Sequence, residues 1–323
     1  MAERMINVTG VELCTESFGD PADPTILLVM GLGASMLWWE EGFCRELALG
    51  GRFVIRYDHR DTGRSVSYEP GRPGYTSSDL VDDAAGVLEA HDIPAAHVVG
   101  VSAGGALAQL LALDHPERVL SLVLMSTSRA VPGGRELPPP TEAYARFVAA
   151  GEVDWSVAAS VIDYQVTYAL MLAGTERPPD EAAVRELVRR DVERARDMGA
   201  VRNHDAIPAD DRHREPLSSI TAPTLIIHGS ADPMFPVEHG LALAEEIPSA
   251  VLVRLEGAGH GLGRDDWDTV ARTILEHTSP TGATDGQGQV SLGQTGIPVA
   301  ARRRPTESPG LRGTRSPSDH EKI

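Results

Sequence analysis

The stretch HVVGVSAGG, residues 97–105, is a short apolar run that breaks into small residues around a serine. HVVGV reads as a buried strand, and GGALAQLLALDHP (104–116) reads as a helix stopped at Pro116. Ser102 stands between them, with Gly100 two places before it and Gly104 two places after. Such a serine is either a nucleophile on a sharp turn or a small residue that fits a tight bend. Gly-x-Ser-x-Gly arises by chance roughly 0.2 times in a chain of this length and composition, so its surroundings have to decide.

Outward from that turn, short apolar runs alternate with helical patterns. TILLVMG (25–31), FVIRYD (53–58), VLSLVLMS (119–126), TLIIHG (224–229) and AVLVRLEG (250–257) read as further strands. Helical spacing is visible from Trp38 to Ala48, and again from Ser78 to His91, where Leu80, Val81, Ala84, Val87 and Leu88 share one face. Continuous apolar strands separated by helices predict a doubly wound, mostly parallel α/β sheet covered on both faces.

Two stretches interrupt the alternation. Residues 129–215 hold no convincing strand, open on ELPPP and include the strongly helical VRELVRRDVERARD. They are expected to form a helical cap above the sheet, dividing the core into 1–128 and 216–278; a separate helical domain is the alternative. From Ser279 to Ile323 the composition turns to Gly, Pro, Ser, Thr and Arg without apolar periodicity, and a disordered tail is expected there.

Net charge is −18 over 323 residues, which argues against nucleic acid or an anionic membrane as the main partner. MAERMINVTG lacks the apolar segment of a secretion signal, and no run is long enough to span a bilayer, so a cytoplasmic location is expected. The only cysteines, Cys14 and Cys44, read as buried thiols. Oligomeric state is not legible.

A serine hydroxyl needs a base to take its proton and a carboxylate to orient that base. In an open parallel sheet such groups gather at the carboxyl ends of the strands. Asp232 follows TLIIHG by three residues, and His260 follows AVLVRLEG in a Gly-rich loop. The order Ser102, Asp232, His260, on a strand–turn–helix, points to acyl transfer through a catalytic triad. STSRAVPGG, after the fourth strand, contains no carboxylate to compete with Asp232. His228 falls within a strand and is expected to be packed. His59 could approach the site from its loop, and nothing singles out His204 or His213.

Acyl transfer also requires donors for the oxyanion. The backbone N–H of Ala103, at the start of a helix, is one candidate. The loop MGLGAS supplies the other, with Leu32 N–H between Gly31 and Gly33. There is no H-E-x-x-H, cysteine cluster, P-loop or complete G-x-G-x-x-G, so neither metal nor cofactor is implied.

VMGLGAS, YDHRDTGRS, HVVGVSAGG and ALDHPERV together resemble the α/β-hydrolase superfamily over about residues 5–278. More narrowly, they resemble the aclacinomycin methylesterase group of actinomycete hydrolases. The resemblance implies carboxylic ester hydrolysis by Ser102, Asp232 and His260, with oxyanion donors at Leu32 and Ala103. Two positions depart from the pattern. Met30 stands where many relatives have histidine, and Ala103 stands where methionine is common. The first change spares a backbone donor, and the second leaves more room beside the nucleophile.

The substrate is expected to be a small-molecule ester, and the narrower resemblance implies the methyl ester of a bulky aromatic or polyketide compound. Trp38, Trp39, Trp155, Tyr164 and Tyr168 are the candidate pocket residues, each equally open to plain packing. Lactone opening, C–C bond hydrolysis and cofactor-free perhydrolysis use the same triad and remain alternatives. Binding of a carbonyl compound with vestigial catalysis is the alternative of another class.

Overall fold

The two-residue alternation of a strand sends neighbouring side chains to opposite faces of a sheet. That rule organises the protein, whose computed structural model describes residues 2–151, 153–208 and 211–279. Eight strands form one sheet: β1 (Arg4–Val8), β2 (Val11–Phe18), β3 (Thr25–Val29), β4 (Phe53–Tyr57), β5 (Ala96–Val101), β6 (Val119–Met125), β7 (Thr224–Gly229) and β8 (Ala250–Leu255). Their spatial order is β1-β2-β4-β3-β5-β6-β7-β8. All pairs from β4 to β8 are parallel, as expected.

Leu27 and Val29 face one layer with Ile55, Val98, Leu122 and Ile226. That layer is closed by α2 (Ser77–Ala90), α3 (Ala103–Asp114) and α7 (Glu238–Glu246), through Leu80, Leu111 and Leu243. Ile26 and Leu28 face the other layer with Val54, Val99 and Val123. There α1 (Glu41–Leu49) and α8 (Trp267–His277) contribute Phe43, Leu47, Val270 and Ile274. Both sheet faces are covered, hence the uninterrupted apolar strands.

The hairpin β1–β2 was not anticipated. It is antiparallel, and β2 also runs antiparallel to β4. Its two-residue turn is Thr9-Gly10, with φ of 49° and 87°. A β-branched residue at positive φ is unfavourable, which hides the turn from sequence reading. Its stabilisation is tertiary. Thr9 Oγ1 donates to Asp83 Oδ1 at 3.0 Å, and Asp83 is clamped by Arg60 at 2.7 and 2.8 Å.

Between β6 and β7 the described residues hold no strand but three helices, α4 (Glu142–Ala150), α5 (Ala158–Ala173) and α6 (Glu181–Arg194), then a 3-10 stretch over Ala200–Ala206. These elements dock onto the loops at the carboxyl ends of the strands. The Thr141 N–H donates to Pro233 O, and the Trp38 indole Nε1–H donates to Asp191 Oδ2 at 2.9 Å. The tail expected from residue 279 lies outside the described residues, apart from Ser279 itself. That residue's hydroxyl donates to Leu275 O at 2.7 Å.

The chain leaves β3 for β4 on one side and returns to β5 on the other. The sheet therefore has its switch point between β3 and β5, where diverging loops leave a crevice.

Candidate active site

Ser102 is the residue between β5 and α3, and it takes φ 56° and ψ −127°. Such a conformation costs a non-glycine residue about 1–3 kcal/mol and persists only where the surroundings enforce it. Here they do. The Ser102 N–H donates to Met125 O at 2.9 Å, and its carbonyl accepts from Gly105 N–H and from Thr127 Oγ1, the latter at 2.6 Å. The two motif glycines are required by close approach. A Cβ on Gly100 would stand 2.3 Å from Gly104 O, and one on Gly104 would stand 2.3 Å from Val29 O. The helix is thereby drawn against the strand ends, and the serine is left at the apex.

Asp232 and His260 meet. His260 Nδ1 lies 2.8 Å from Asp232 Oδ2, and both side chains are nearly inaccessible to solvent. The other carboxylate oxygen accepts from the Met234 and Phe235 N–H groups at 2.9 and 2.8 Å. Burial pushes the Asp232 carboxyl up. The His260 charge and hydrogen bond, with the Phe235 amide, outweigh it and hold the group below the ordinary carboxylate range. With Nδ1–H donated to Asp232, Nε2 carries the free lone pair, and it has no hydrogen-bond partner among the described residues. That is the tautomer a general base needs.

The loops carrying these groups are tied together at the end of β6. The residue after Met125, which accepts from Ser102, is Ser126, and its hydroxyl accepts from Gly261 N–H at 3.1 Å. On the other side, His260 N–H donates to Leu172 O of α5 at 2.8 Å. Neither Ser126 nor Leu172 was singled out from the sequence. A hydroxyl acting through a backbone partner 135 residues away has no local signature.

The loop after β3 presses against the serine. A Cβ on Gly31 would come within 3.2 Å of Ser102 Cβ and 3.7 Å of its Oγ. Among the described residues, neither the Leu32 nor the Ala103 N–H donates a hydrogen bond. Both amides are thus free for an oxyanion. His59 Nε2 lies 2.8 Å from Met30 O, and His204 Nδ1 lies 2.7 Å from Gly33 N, so both histidines meet this loop. His228 is packed beneath Asp232, with Nε2 donating to Phe235 O at 2.8 Å and standing 3.7 Å from Asp232 Oδ2.

The candidate pocket residues separate. Tyr164 and Tyr168 stack 6.1 Å apart on α5, Phe147 of α4 stacks on both, and Trp155 meets Tyr164 edge-on. Tyr168 lies one turn before Leu172, the residue whose carbonyl holds His260 N–H. Trp38 is half-buried and tethers its loop to α6. Trp39 is 1% exposed and stacked on Phe43, inside the core layer that α1 and α8 cover. No group of side chains suited to a metal ion is present among the described residues. Nor is any helix among them long and apolar enough to cross a membrane.

With this geometry in place, comparison with known proteins defines the class. The α/β-hydrolase fold family matches residues 24–263, and the chain belongs to that family and is an enzyme of the hydrolase class. Among curated proteins it is 35% identical to rhodomycin D methylesterase DauP of Streptomyces sp. (strain C5), over 86% of this chain and 98% of that one. It is 34% identical to rhodomycin D methylesterase DnrP of Streptomyces peucetius, with the same coverage. Among solved structures it is similar to the meta-cleavage product hydrolase CumD from Pseudomonas fluorescens IP01. That match has a TM-score of 0.64 at 26% identity, covering 84% of this chain and 96% of the other. The narrower resemblance carried by its motifs agrees with the two methylesterases.

Proposed function

We propose that the protein hydrolyses a carboxylic ester of a small molecule through a covalent acyl-enzyme on Ser102. The observation that carries this reading is the buried Asp232–His260 pair with a bare Nε2, on a loop tied through Ser126 to the strand end that holds Ser102 in its strained turn. Ser102 Oγ attacks the ester carbonyl while His260 Nε2 takes its proton. The Leu32 and Ala103 amides receive the charge that develops on the carbonyl oxygen. The tetrahedral intermediate then collapses, the alcohol leaves with the proton from His260, and an acyl-Ser102 remains. Water, deprotonated by the same nitrogen, attacks the acyl group and releases the acid, with serine regained. Asp232 fixes the tautomer throughout and stabilises the imidazolium.

Similarity to the two rhodomycin D methylesterases supports a methyl ester of a bulky aromatic or polyketide compound as substrate. The stacked Phe147, Tyr164 and Tyr168 in the insertion supply a flat apolar wall for it, and residues 129–215 act as the cap that selects it. The chemistry needs no cofactor, and the acidic surface fits a cytoplasmic enzyme with no nucleic-acid partner.

A fluorophosphonate probe tests the nucleophile: wild type is labelled covalently and Ser102→Ala is not. An unlabelled wild type overturns the reading. Mass-spectrometric product analysis over methyl, aryl and lactone esters, with a vinylogous diketone for C–C cleavage, then tests the bond. Methanol release from the methyl esters is the expected result.

A further inference from the structure

Two histidines outside the triad bracket the peptide unit that presents the Leu32 amide. That unit lies between Gly31 and Leu32. The carbonyl of the preceding unit, Met30 O, is 2.8 Å from His59 Nε2. The N–H of the following unit, on Gly33, donates to His204 Nδ1 at 2.7 Å. Peptide units are planar, so holding the units on both sides fixes the orientation of the one between. The loop needs such restraint, because Gly31 and Gly33 leave its backbone unusually free, and Gly33 sits at φ +82°.

His204 comes from the insertion between β6 and β7, 171 residues from its partner. Since Gly33 N–H can only donate, Nδ1 must be bare, and Nε2–H then donates to Arg60 O at 2.8 Å. The neighbouring Asn203 anchors the same stretch. Its Oδ1 accepts from Gly71 N–H at 2.6 Å, and its Nδ2 donates to Asp61 Oδ2 at 2.9 Å.

We propose that His204 is a positioning residue for the oxyanion-binding Leu32 N–H, acting as the neutral Nε2–H tautomer and linking the insertion to catalysis. The inference rests on the serine-hydrolase reading above. Groups facing the ring keep it neutral. His59 stands edge-on at 6.3 Å between ring centres, and Tyr75 at 6.4 Å. The Arg60 guanidinium is turned away onto Asp83, while Asp61 is occupied by Tyr75 and Asn203. Burial, then the neighbouring His59, pushes His204 down to about 4.

The test compares two polar variants. His204→Asn keeps an acceptor near the Nδ1 position but cannot reach Arg60 O. His204→Gln reaches toward the Nε2 position and has no acceptor at Nδ1. Steady-state hydrolysis of a p-nitrophenyl ester and the rate of fluorophosphonate labelling are measured for both, with thermal unfolding to establish that each is folded. A misplaced oxyanion donor predicts a ~10²-fold lower kcat and labelling rate for the Gln variant at nearly unchanged KM. The Asn variant is expected to regain at least ~10-fold of that loss, because only it keeps the Gly33 bond. Equal losses in the two variants, a change confined to KM, or activities within ~3-fold of wild type overturn the inference while leaving the nucleophile assignment intact. A wild type that neither hydrolyses the ester nor reacts with the probe overturns the serine-hydrolase reading, and this inference with it.

Discussion

Asp232 divides its two carboxylate oxygens between different tasks: Oδ2 meets His260 Nδ1 at 2.8 Å, while Oδ1 is fixed by the amides of Met234 and Phe235. An amide in its place keeps the second task, because its oxygen can still accept from the two N–H groups. It loses the first, because an NH₂ facing Nδ1 forces the proton onto Nε2. Asp232→Asn is therefore expected to fold normally and to lose kcat by about 10⁴-fold. Near-normal turnover with an ester substrate would place the acid elsewhere.

Gly104 is required by space rather than by dihedral freedom, since a Cβ would overlap backbone oxygens of both Val29 and Met30. Backbone atoms cannot swing aside as a flexible side chain does. Gly104→Ala is expected to destabilise the fold by about 1–3 kcal/mol, as overpacking does, and to displace α3 from the strand ends. Urea denaturation measures the first effect. Fluorophosphonate labelling of the folded fraction measures the second, and an unchanged midpoint with unchanged labelling contradicts both.

The Arg60–Asp83 pair lies in the interior beneath the β1–β2 hairpin, with the Asp83 side chain fully buried. Removing one member strands the other charge out of water. Asp83→Ala is expected to cost about 3–5 kcal/mol and to loosen the hairpin, because Thr9 loses its acceptor as well. Differential scanning calorimetry, with hydrogen exchange of residues 4–18, reports both; a loss under 1 kcal/mol would count against the account.

Several histidines are buried neutral. Burial lowers His59, His228 and His277, and it brings His97 and His204 down to about 4. Their folded-state affinity for protons is below that of the unfolded chain, near 6.5, so the unfolded state binds more protons on acidification. Stability from these groups is complete above about pH 6.5 and is lost progressively as pH falls toward 4. The slope is about 1.4 kcal/mol per pH unit for each well-buried group, less for the more exposed His97. Urea midpoints at pH 7, 6 and 5 should fall in that order. A flat series would mean these rings are already charged in the folded protein.

Much of this was legible because it is local. The parallel strands announced themselves as apolar runs, and Ser102, Asp232 and His260 each stand within a few residues of a strand end. The misses share a different cause. The β1–β2 turn carries a threonine where asparagine or aspartate would have signalled it, and only the distant Asp83 makes that choice tolerable. Trp38 and Trp39 look alike in sequence, yet the turn into α1 sends one toward α6 and the other into the core. His204 gave no sign of its part, since its partner Gly33 lies in another loop.

The hydrogen bond from His260 N–H to Leu172 O has a consequence for remodelling this enzyme. The residue proposed as the base takes its backbone anchor from the same segment that, on the proposed reading, would be exchanged to alter substrate choice. Transplanting 129–215 from a relative is therefore not a change of lid on a finished machine. A chimera has to reproduce the Leu172 carbonyl and the Asn203–His204 pair at its seams, or specificity and turnover will change together.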